Sequence, residues 1–539
     1  MIRKLTTIAV GGLLLAACEP TERTNPDAVK AREIARVRAE QQQAAAAAQA
    51  EADRVRLAEA AAEAARAAAE AAKARQTGPD ASGSILVINS TLQNYNIMQP
   101  WEKEAVQKAR AMGVSLGNGL VLTLGEVVRA ATYVEIGLPD QSRTVPAKVL
   151  RYDEELNLAL LTVQHESDAS VIGERVALQT GEPLRQGDAA ELAGLVNGLV
   201  PVKVPLVVES AESATMPQLL LRASHPVPAG HDDGAPVMKE GRLVGLTTNY
   251  NSQGMRLSVI NAEIIQRFLS QDVDAVMPVL GLEFAGLKDP VFRSYLKLDK
   301  VGGGLYISKV HPGGAAELVG VRPGDVLLAI DGMDIDNVGR CHHPLYGPIH
   351  ASTVLRGHKP VGDTMSLTVS REGQLQTLNL TLDRKARDAR LFAAVKPGKQ
   401  PCYVMWGGLL FQPLTENYLE TLRRGSGGNL PLEFQQLEDG ENELRESGVT
   451  ELVALTAVVP TPATLGYETL RFCRIEAVND KPVQSFAQFV SLLDEPTDNG
   501  IVKLRINKPP FHIYMDRKAA EESNELLQAK AISPLRVVE

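Results

Sequence analysis

The sequence predicts a mainly β protein that follows a long α-helix, and three observations lead to this prediction. The chain has 539 residues, too many for one hydrophobic core, which indicates roughly three or four domains. From about Ser84 onward, short apolar runs such as SILVINST and TYVEIGLP alternate with turn residues, a pattern typical of β-barrels and sandwiches. Before that point Ala, Glu, Gln and Arg dominate, and this composition favours helix.

The overall composition is that of a soluble globular protein. Hydrophobic residues make up 44% of the chain and charged residues 22%, and the formal net charge is -9. An acidic chain offers no broad electrostatic surface for nucleic acid, so we expect no nucleic-acid partner. Four cysteines are too few and too scattered for a disulfide framework: Cys18, Cys341, Cys402 and Cys473.

Residues 1–18, MIRKLTTIAVGGLLLAAC, have a short basic start, a short apolar run and small residues before Cys18. This is the pattern of a secretory signal peptide, and the apolar run is too short for a stable membrane span. The ending Leu-Ala-Ala-Cys resembles a bacterial lipobox, which implies lipidation of Cys18; an ordinary signal with a chance cysteine is the alternative. Glu19 after the cysteine favours the outer membrane. We therefore predict a lipid-anchored protein on the periplasmic side of the bacterial cell envelope.

Residues 19–83 are predicted to form a helical spacer. Its segment AEQQQAAAAAQAEADRVRLAEAAAEAARAAAEAAKAR combines the best helix former with Glu and Arg at helical spacing. Such a helix would be roughly 70 Å long at a rise of 1.5 Å per residue. Large apolar residues are few, so an alanine-faced coiled coil and a solvated single helix both remain open. Either would hold the globular part away from the membrane.

Three segments of the following region carry a family resemblance. They read GVSLGNGLVLTLGEVV, VPAKVLRYDEELNLALLTV and GHDDGAPVMKEGRLVGLTT. They resemble the three catalytic segments of the trypsin-like Deg/HtrA serine proteases, which read approximately GSGxVLTNAHVV, DxxxDLALLKV and GNSGGP. The resemblance implies a trypsin-like double β-barrel over residues 84–272.

The catalytic residues of that family do not carry over. The histidine of the first motif falls on Glu126, the aspartate of the second on Asn157, and the serine of the third on Asp233, with Asp232 as an alternative register. A serine nucleophile requires an imidazole to take its proton and a carboxylate to orient that imidazole. We therefore expect degenerate triad positions and no intact catalytic residue. A serine-type endopeptidase with a relocated or altered site, or new chemistry from Glu126 with Asp233, is the alternative.

The next region resembles a PDZ domain, predicted over 273–384. The segments VMPVLGLEFAGL and GAAELVGVRPGDVLLAIDG carry this resemblance. In a PDZ domain an extended peptide adds a strand at an open sheet edge, and backbone N–H groups hold its terminal carboxylate. The resemblance places that loop at Leu280-Gly281-Leu282, which we predict to bind peptides.

Within the region 273–384, the segment GRCHHPLYGPIH (residues 339–350) holds a cluster of side chains that could ligate zinc or copper. Its members are Cys341, His342, His343 and His350. The spacing matches no known zinc motif, and adjacent residues on a strand point apart. We predict no metal site and no cofactor, and leave metal binding by the cluster as an open alternative.

Residues 400–539 resemble the divergent second PDZ domain of the plant-type Deg branch. The stretches GGLLFQPLTE and PATLGYE carry this resemblance. It implies a role in assembly and subunit contacts. Gly407 and Gly408 could form a second carboxylate loop, but a packing role is favoured.

The functional hypothesis is a non-catalytic Deg/HtrA-like protein of the cell envelope. Its PDZ domains would bind exposed polypeptide C-termini or misfolded segments, in a chaperone-like or scaffold role in periplasmic protein quality control. The family resemblance implies a homo-oligomer, a trimer or multiples of it, alone or with an active paralogue. A structural adaptor between the outer membrane and a partner is a third hypothesis.

Overall fold

Two six-stranded barrels occupy the first half of the chain in a computed structural model. The model describes residues 84–138, 142–172, 183–196, 200–213, 217–227, 233–270, 277–299, 301–385 and 390–538. The predicted signal peptide with Cys18, the predicted spacer helix and the alternative position Asp232 lie outside the described residues.

The first barrel closes in the order β1-β2-β3-β6-β5-β4. Its strands are β1 (Ile85–Leu92), β2 (Gln107–Gly117), β3 (Leu120–Leu124), β4 (Ala131–Gly137), β5 (Thr144–Asp153) and β6 (Leu158–Val163). Apolar side chains alternate along these strands and meet in the interior, where Ile88, Val121 and Leu161 are fully buried. A short 3-10 helix, Glu166–Val171, follows β6.

The second barrel closes in the order β10-β11-β12-β9-β8-β7. Its strands are β7 (Ala189–Val196), β8 (Val200–Ser213), β9 (Pro217–Ala223), β10 (Pro236–Lys239), β11 (Arg242–Asn251) and β12 (Arg256–Asn261). Helix α1 (Ala262–Ser270) follows, and its apolar face, with Ile264, Ile265 and Phe268, is buried. The two closed barrels confirm the predicted double β-barrel.

The backbone of Met112 in β2 contacts both barrels. Its N–H donates to the carbonyl of Asp233 at 2.7 Å, and its carbonyl accepts the Thr123 hydroxyl at 2.8 Å. Gly234 has a φ of +85°, and a Cβ there would lie 2.4 Å from the Met112 oxygen. Only glycine therefore allows the loop before β10 to approach the first barrel this closely.

An antiparallel sheet and a separate hairpin follow the barrels. The sheet has the order β13-β14-β15-β19-β20, with β16 beside β15, while β17 and β18 form a separate hairpin. The strands are β13 (Leu282–Ala285), β14 (Leu305–Val310), β15 (Val326–Ile330), β16 (Met333–Asp334), β17 (Arg340–His343), β18 (Gly347–His350), β19 (Thr364–Arg371) and β20 (Gln374–Thr381). The helices are α2 (Pro290–Tyr295), α3 (Ala315–Leu318) and α4 (Ala351–Gly357). We call this unit the third sheet.

Two sets of contacts join the third sheet to the barrels, one made by Arg267 and the other by Glu155. Arg267 of α1 donates to the carbonyls of Gly357 and His358, at 2.8 Å and 3.1 Å, where α4 ends. A cation at a helix C-terminus satisfies free carbonyls and complements the helix dipole. On the other side, Glu155 of the first barrel binds Arg356 at 3.1 Å and Arg384 at 2.7 Å.

The last unit, the fourth sheet, has the order β27-β26-β24-β23-β22-β21-β28, with β25 beside β24. Its strands are β21 (Tyr403–Trp406), β22 (Leu409–Pro413), β23 (Val453–Val458), β24 (Cys473–Val478), β25 (Lys481–Pro482), β26 (Ile501–Ile506), β27 (His512–Asp516) and β28 (Arg536–Val537). Its helices are α5 (Glu416–Gly425), α6 (Leu432–Asp439), α7 (Glu441–Glu446), α8 (Phe486–Asp494) and α9 (Arg517–Ala529). Ser485 and Asp516 cap α8 and α9 with their side chains, as these residue types commonly do.

The fourth sheet packs on the long loop between β1 and β2. The Gln412 side chain donates to the carbonyl of Ile97 at 3.0 Å, and the Gln400 side chain donates to that of Pro100 at 3.0 Å. The rings of Trp101 and Tyr403 lie 6.2 Å apart. Within the described ranges, no helix is both long enough and apolar enough to cross a membrane.

We expect Gly234→Ala to destabilise the protein more than Gly187→Ala. Both glycines have a φ near +85°, but a Cβ at Gly187 would meet no atom within 4 Å. The left-handed conformation costs about 1–2 kcal/mol in either variant, and overpacking against Met112 adds about 1–3 kcal/mol at position 234. Urea unfolding measures the free energy of unfolding of both variants; equal losses would contradict the Met112 constraint.

Candidate functional site

The first two degenerate triad positions lie together in the first barrel. The backbone N–H of Glu126 donates to Oδ1 of Asn157 at 2.8 Å. A Cβ on Gly125 would lie 3.1 Å from the Asn157 carbonyl carbon, so glycine permits the close approach of the two segments. Val127 and Val128 are buried and hold the turn against the barrel core. The structure thus brings together the segments that the motif alignment pairs.

The side chains at these two positions lack the chemistry of a catalytic pair. The Glu126 side chain is exposed, and Asn157 is half-buried with a φ of +53°, a conformation that asparagine tolerates. The Asn157 amide is neutral, and its oxygen already accepts the Glu126 N–H. It therefore supplies no negative charge to orient or stabilise a cationic base.

Asp233 lies at the junction of the barrels, because its carbonyl accepts the Met112 N–H. The two amides that follow are already bonded: the Gly234 N–H donates to the Thr247 carbonyl at 2.8 Å, and the Ala235 N–H donates to the Thr247 hydroxyl at 3.0 Å. Asp233 itself presents a carboxylate where the family resemblance requires a hydroxyl.

Elsewhere in the described residues, a serine–histidine pair occurs at the start of α4. His350 Nδ1 lies 2.7 Å from the Ser352 hydroxyl and accepts the Ser352 N–H at 3.3 Å. His350 is the N-cap residue of α4, so these bonds satisfy a backbone donor that the helix leaves free. This capping role accounts for the pair without catalysis. Ser224, the serine nearest to Asp233 in the third motif, is exposed, and its N–H donates to Pro205.

The cysteine–histidine cluster is distributed over two faces of the β17–β18 hairpin. Cys341 and His343 are buried on one face, His342 is exposed on the other, and His350 caps α4. Burial raises the pKa of the Cys341 thiol to about 11, which opposes formation of a metal-binding thiolate. Among the described residues, no group of three or more His, Cys, Asp and Glu side chains is placed to hold a metal ion.

The structure instead reveals a hydrogen-bonded histidine pair that the sequence did not indicate. His343 Nδ1 accepts the N–H groups of Leu345 and Tyr346, so its proton lies on Nε2, which donates to His358 Nδ1 at 2.9 Å. His358 Nε2 then faces the Asp331 carboxylate at 3.6 Å. Burial lowers the pKa of His343 to about 4 and also lowers that of His358. Both rings are therefore neutral near pH 7.

The predicted peptide loop, Leu280-Gly281-Leu282, lies in the wall of a cavity of about 420 Å³ between β13 and α4. Gly281 has a φ of +73°, and its carbonyl accepts the His311 N–H at 2.7 Å. Val279, Leu280, Leu282, Phe284 and Leu355 supply an apolar floor. Within the described residues β13 pairs only with β14, so its other edge faces the cavity and is open to an added strand.

Three residues of this cavity come from outside the third sheet, and the sequence did not indicate them. Glu155 belongs to the first barrel, Arg390 precedes the fourth sheet, and Glu416 begins α5. These three residues come together only because the first barrel and the fourth sheet pack beside the third sheet. Such packing is not marked by a local sequence motif.

Gly407 and Gly408 form the hairpin turn between β21 and β22. Added Cβ atoms would lie 2.5 Å from Met515 and 2.4 Å from the Val459 oxygen, respectively. Strand β21 pairs with β22 on one side and with β28 on the other. The edge beside this glycine turn is therefore occupied by the chain itself, which agrees with a packing role for the two glycines.

Comparison with known proteins identifies PDZ domains in both sheets. Residues 306–357 and 394–535 each match a family model described as a PDZ domain. The predicted fold class, a double barrel followed by PDZ domains, is thereby confirmed, whereas its predicted N-terminal helix lies outside the described residues. We refer to the third and fourth sheets below as the first and second PDZ domains.

The chain is similar to several Do-like proteases. It is 22% identical to the chloroplast protease Do-like 2 of Arabidopsis thaliana, in a match covering 80% of this chain and 72% of the relative. It is 26% identical to the periplasmic serine endoprotease DegP of Salmonella typhimurium, over 52% of this chain and 58% of that protein. A structure of the HtrA-type protease AlgW with a decapeptide superposes with a TM-score of 0.41 at 19% identity, covering 56% of this chain and 96% of that one. The chain thus contains two PDZ domain matches and is similar in sequence to Do-like and DegP proteases.

We expect the free energy of unfolding to fall as the pH decreases from about 6.5 toward 4. The unfolded His343 takes up a proton below about pH 6.5, whereas the folded residue stays neutral, so acid favours the unfolded state by up to about 1.4 kcal/mol per pH unit. The His343→Gln variant should show a shallower pH dependence in urea unfolding over this range, although other groups also titrate there. His342→Gln, which changes an exposed ring, serves as the control; an unchanged slope in His343→Gln would contradict the assignment.

Proposed function

We propose that this protein is a non-catalytic Deg/HtrA-like component of the cell envelope. It binds exposed polypeptide C-termini or misfolded segments at the groove beside β13, in a chaperone-like or scaffold role in periplasmic protein quality control. Lipidation of Cys18 anchors it on the periplasmic side, in the outer membrane, and the N-terminal helix spaces its globular part from the bilayer.

The observation that carries this proposal is the contrast between two sites. At the degenerate triad, the backbone contacts between Glu126, Asn157 and the first-barrel strands are intact, but no hydroxyl, thiol or imidazole occupies the three positions. At the first PDZ domain, the glycine loop, apolar floor and open β13 edge are all present. The geometry therefore supports binding without supporting acyl transfer.

The second PDZ domain supports assembly in this proposal. Its β22 edge is paired with β21, and β21 with β28, so peptide addition at that edge is blocked. We propose that this domain contributes subunit contacts to a homo-oligomer, a trimer or multiples of it, alone or with an active paralogue.

The alternative is a serine-type endopeptidase with a relocated or altered active site. The names of the similar proteins favour it, because the Do-like and DegP relatives are called proteases. Within this chain, the observations that bear on it are the carboxylates Glu126 and Asp233 and the Ser352–His350 pair.

We expect the full-length protein in detergent to leave casein intact. Casein cleavage is measured beside Glu126→Ala, Asp233→Ala and Ser352→Ala variants, so that any activity is traced to a side chain. Background cleavage that is equal in all four proteins would reflect a contaminant. Robust cleavage that disappears in one of the variants would contradict the non-catalytic proposal and name the residue responsible.

We expect Leu282→Glu to weaken binding of C-terminal peptides at least about tenfold, or about 1.4 kcal/mol, because it places a charge in the apolar floor of the groove. Fluorescence polarisation with labelled peptides measures the affinity. Leu375→Glu is the matched control, since this residue is exposed on β20 at the opposite edge of the same sheet. Equal binding by both variants would refute the assigned groove, and binding that requires no free carboxylate would identify internal segments as the ligand.

A further inference from the structure

The groove beside β13 is a composite of several parts of the chain. Leu280–Phe284 and α4 belong to the first PDZ domain, whereas Glu155, Arg390 and Glu416 reach the cavity from the first barrel, the preceding linker and α5. A peptide lying along β13 therefore meets side chains that an isolated PDZ domain would lack.

Two arginines line this cavity, and both are incompletely paired. Arg356 Nη2 donates to Glu155, but Arg356 Nε is buried and has no hydrogen-bond acceptor among the described residues. Arg390 Nε lies 3.7 Å from Glu441 Oε2, too far for a hydrogen bond, and within the part of the chain that the structure describes neither atom has a hydrogen-bond partner. Buried donors without partners are rare because each raises the free energy of the folded state.

The carboxylates around the cavity have other partners. Glu155 also binds Arg384 at 2.7 Å, and Glu283 binds His311 at 2.7 Å. Glu416 lies in the first turn of α5, where the helix dipole stabilises a negative charge. Glu441 Oε1 accepts the Leu391 N–H at 2.7 Å. Arg356 Nε and Arg390 Nε therefore remain as guanidinium donors without a hydrogen-bond acceptor among the described residues.

We propose that this groove selects polypeptide C-termini that carry an acidic side chain upstream of the terminus. This inference rests on the proposed peptide-binding function and names its ligand class. The Leu280–Leu282 loop holds the terminal carboxylate, and a rotation of Arg356 and Arg390 toward the cavity lets them bind the acidic side chain. Guanidinium groups suit this role because their planar donors bind a carboxylate in two parallel hydrogen bonds.

Arg390 distinguishes this proposal from general PDZ recognition. It lies outside the first PDZ domain in sequence, so its effect on specificity depends on the packing of linker against groove. Replacing it leaves the loop, the apolar floor and the β13 edge unchanged.

The test measures affinities of the full-length protein for labelled peptides that share one apolar C-terminal residue and carry Glu, Gln or Lys at successive upstream positions. We expect Glu to bind at least about tenfold tighter than Gln at one of these positions, and Lys to bind more weakly than Gln. Arg390→Gln should reduce the Glu preference to about threefold or less, and Arg356→Gln should act in the same direction. Arg424→Gln, at an exposed arginine of α5, is the control and should keep the preference.

The outcomes separate this inference from the function on which it rests. Peptides that bind in a Leu282-dependent manner, but with equal affinity for Glu, Gln and Lys, would overturn the acidic selection alone. A Glu preference that persists in both Arg390→Gln and Arg356→Gln would overturn it as well. Failure of every peptide to bind would overturn the proposed function. Thermal unfolding of each variant confirms that a lost preference comes from a folded protein.

Discussion

The backbone of Met112 constrains how the two barrels approach each other. Its carbonyl accepts a hydrogen bond from the Thr123 hydroxyl of β3. Its N–H donates to the carbonyl of Asp233, in the loop before β10 of the second barrel. Gly234 lies so close to the backbone of β2 that no Cβ fits between them. Only glycine can therefore occupy this position without a shift of the barrels. The loop that carries Asp233 is therefore held against the first barrel by backbone contacts, whatever side chain position 233 carries.

This coupling explains how a barrel can keep its architecture while its polar side chains change. The bond between positions 126 and 157 uses the backbone N–H of Glu126 and any side-chain oxygen at 157. An asparagine satisfies it as well as an aspartate, with no charge to desolvate. Structural demands on these residues concern backbone donors and close approaches, whereas catalysis would demand particular side-chain chemistry. The two sets of demands are separable, and here the first set is met.

The sequence predicted the parts of this structure that have local signatures. Alternating apolar runs marked the barrel strands, and GVRPGD with the following apolar strand marked the first PDZ domain. It did not predict contacts that arise when distant segments meet. Arg267 binds carbonyls ninety residues away, and Glu155 binds an arginine more than two hundred residues away. The His343–His358 bond was not predicted either, because His358 lies fifteen residues after His343, beyond the 339–350 cluster and α4. The motif indicated the peptide loop at 280–282, but it did not indicate the charged residues Glu155, Arg390 and Glu416 that also line the groove.

The strand β28 has a consequence for how this protein can be handled. It covers β21 and is secured by a two-pronged bond from Arg536 to Asp494, at 2.7 Å and 2.8 Å. The two paired residues of β28 thus form the edge strand of the fourth sheet and cover the backbone of β21. Shortening the chain before Leu535 would leave the backbone of β21 exposed as a template for pairing with a second molecule, and such bare edges promote aggregation. Fusion partners and affinity tags are accordingly better joined to this protein by a spacer beyond Val538 than by trimming its last strand.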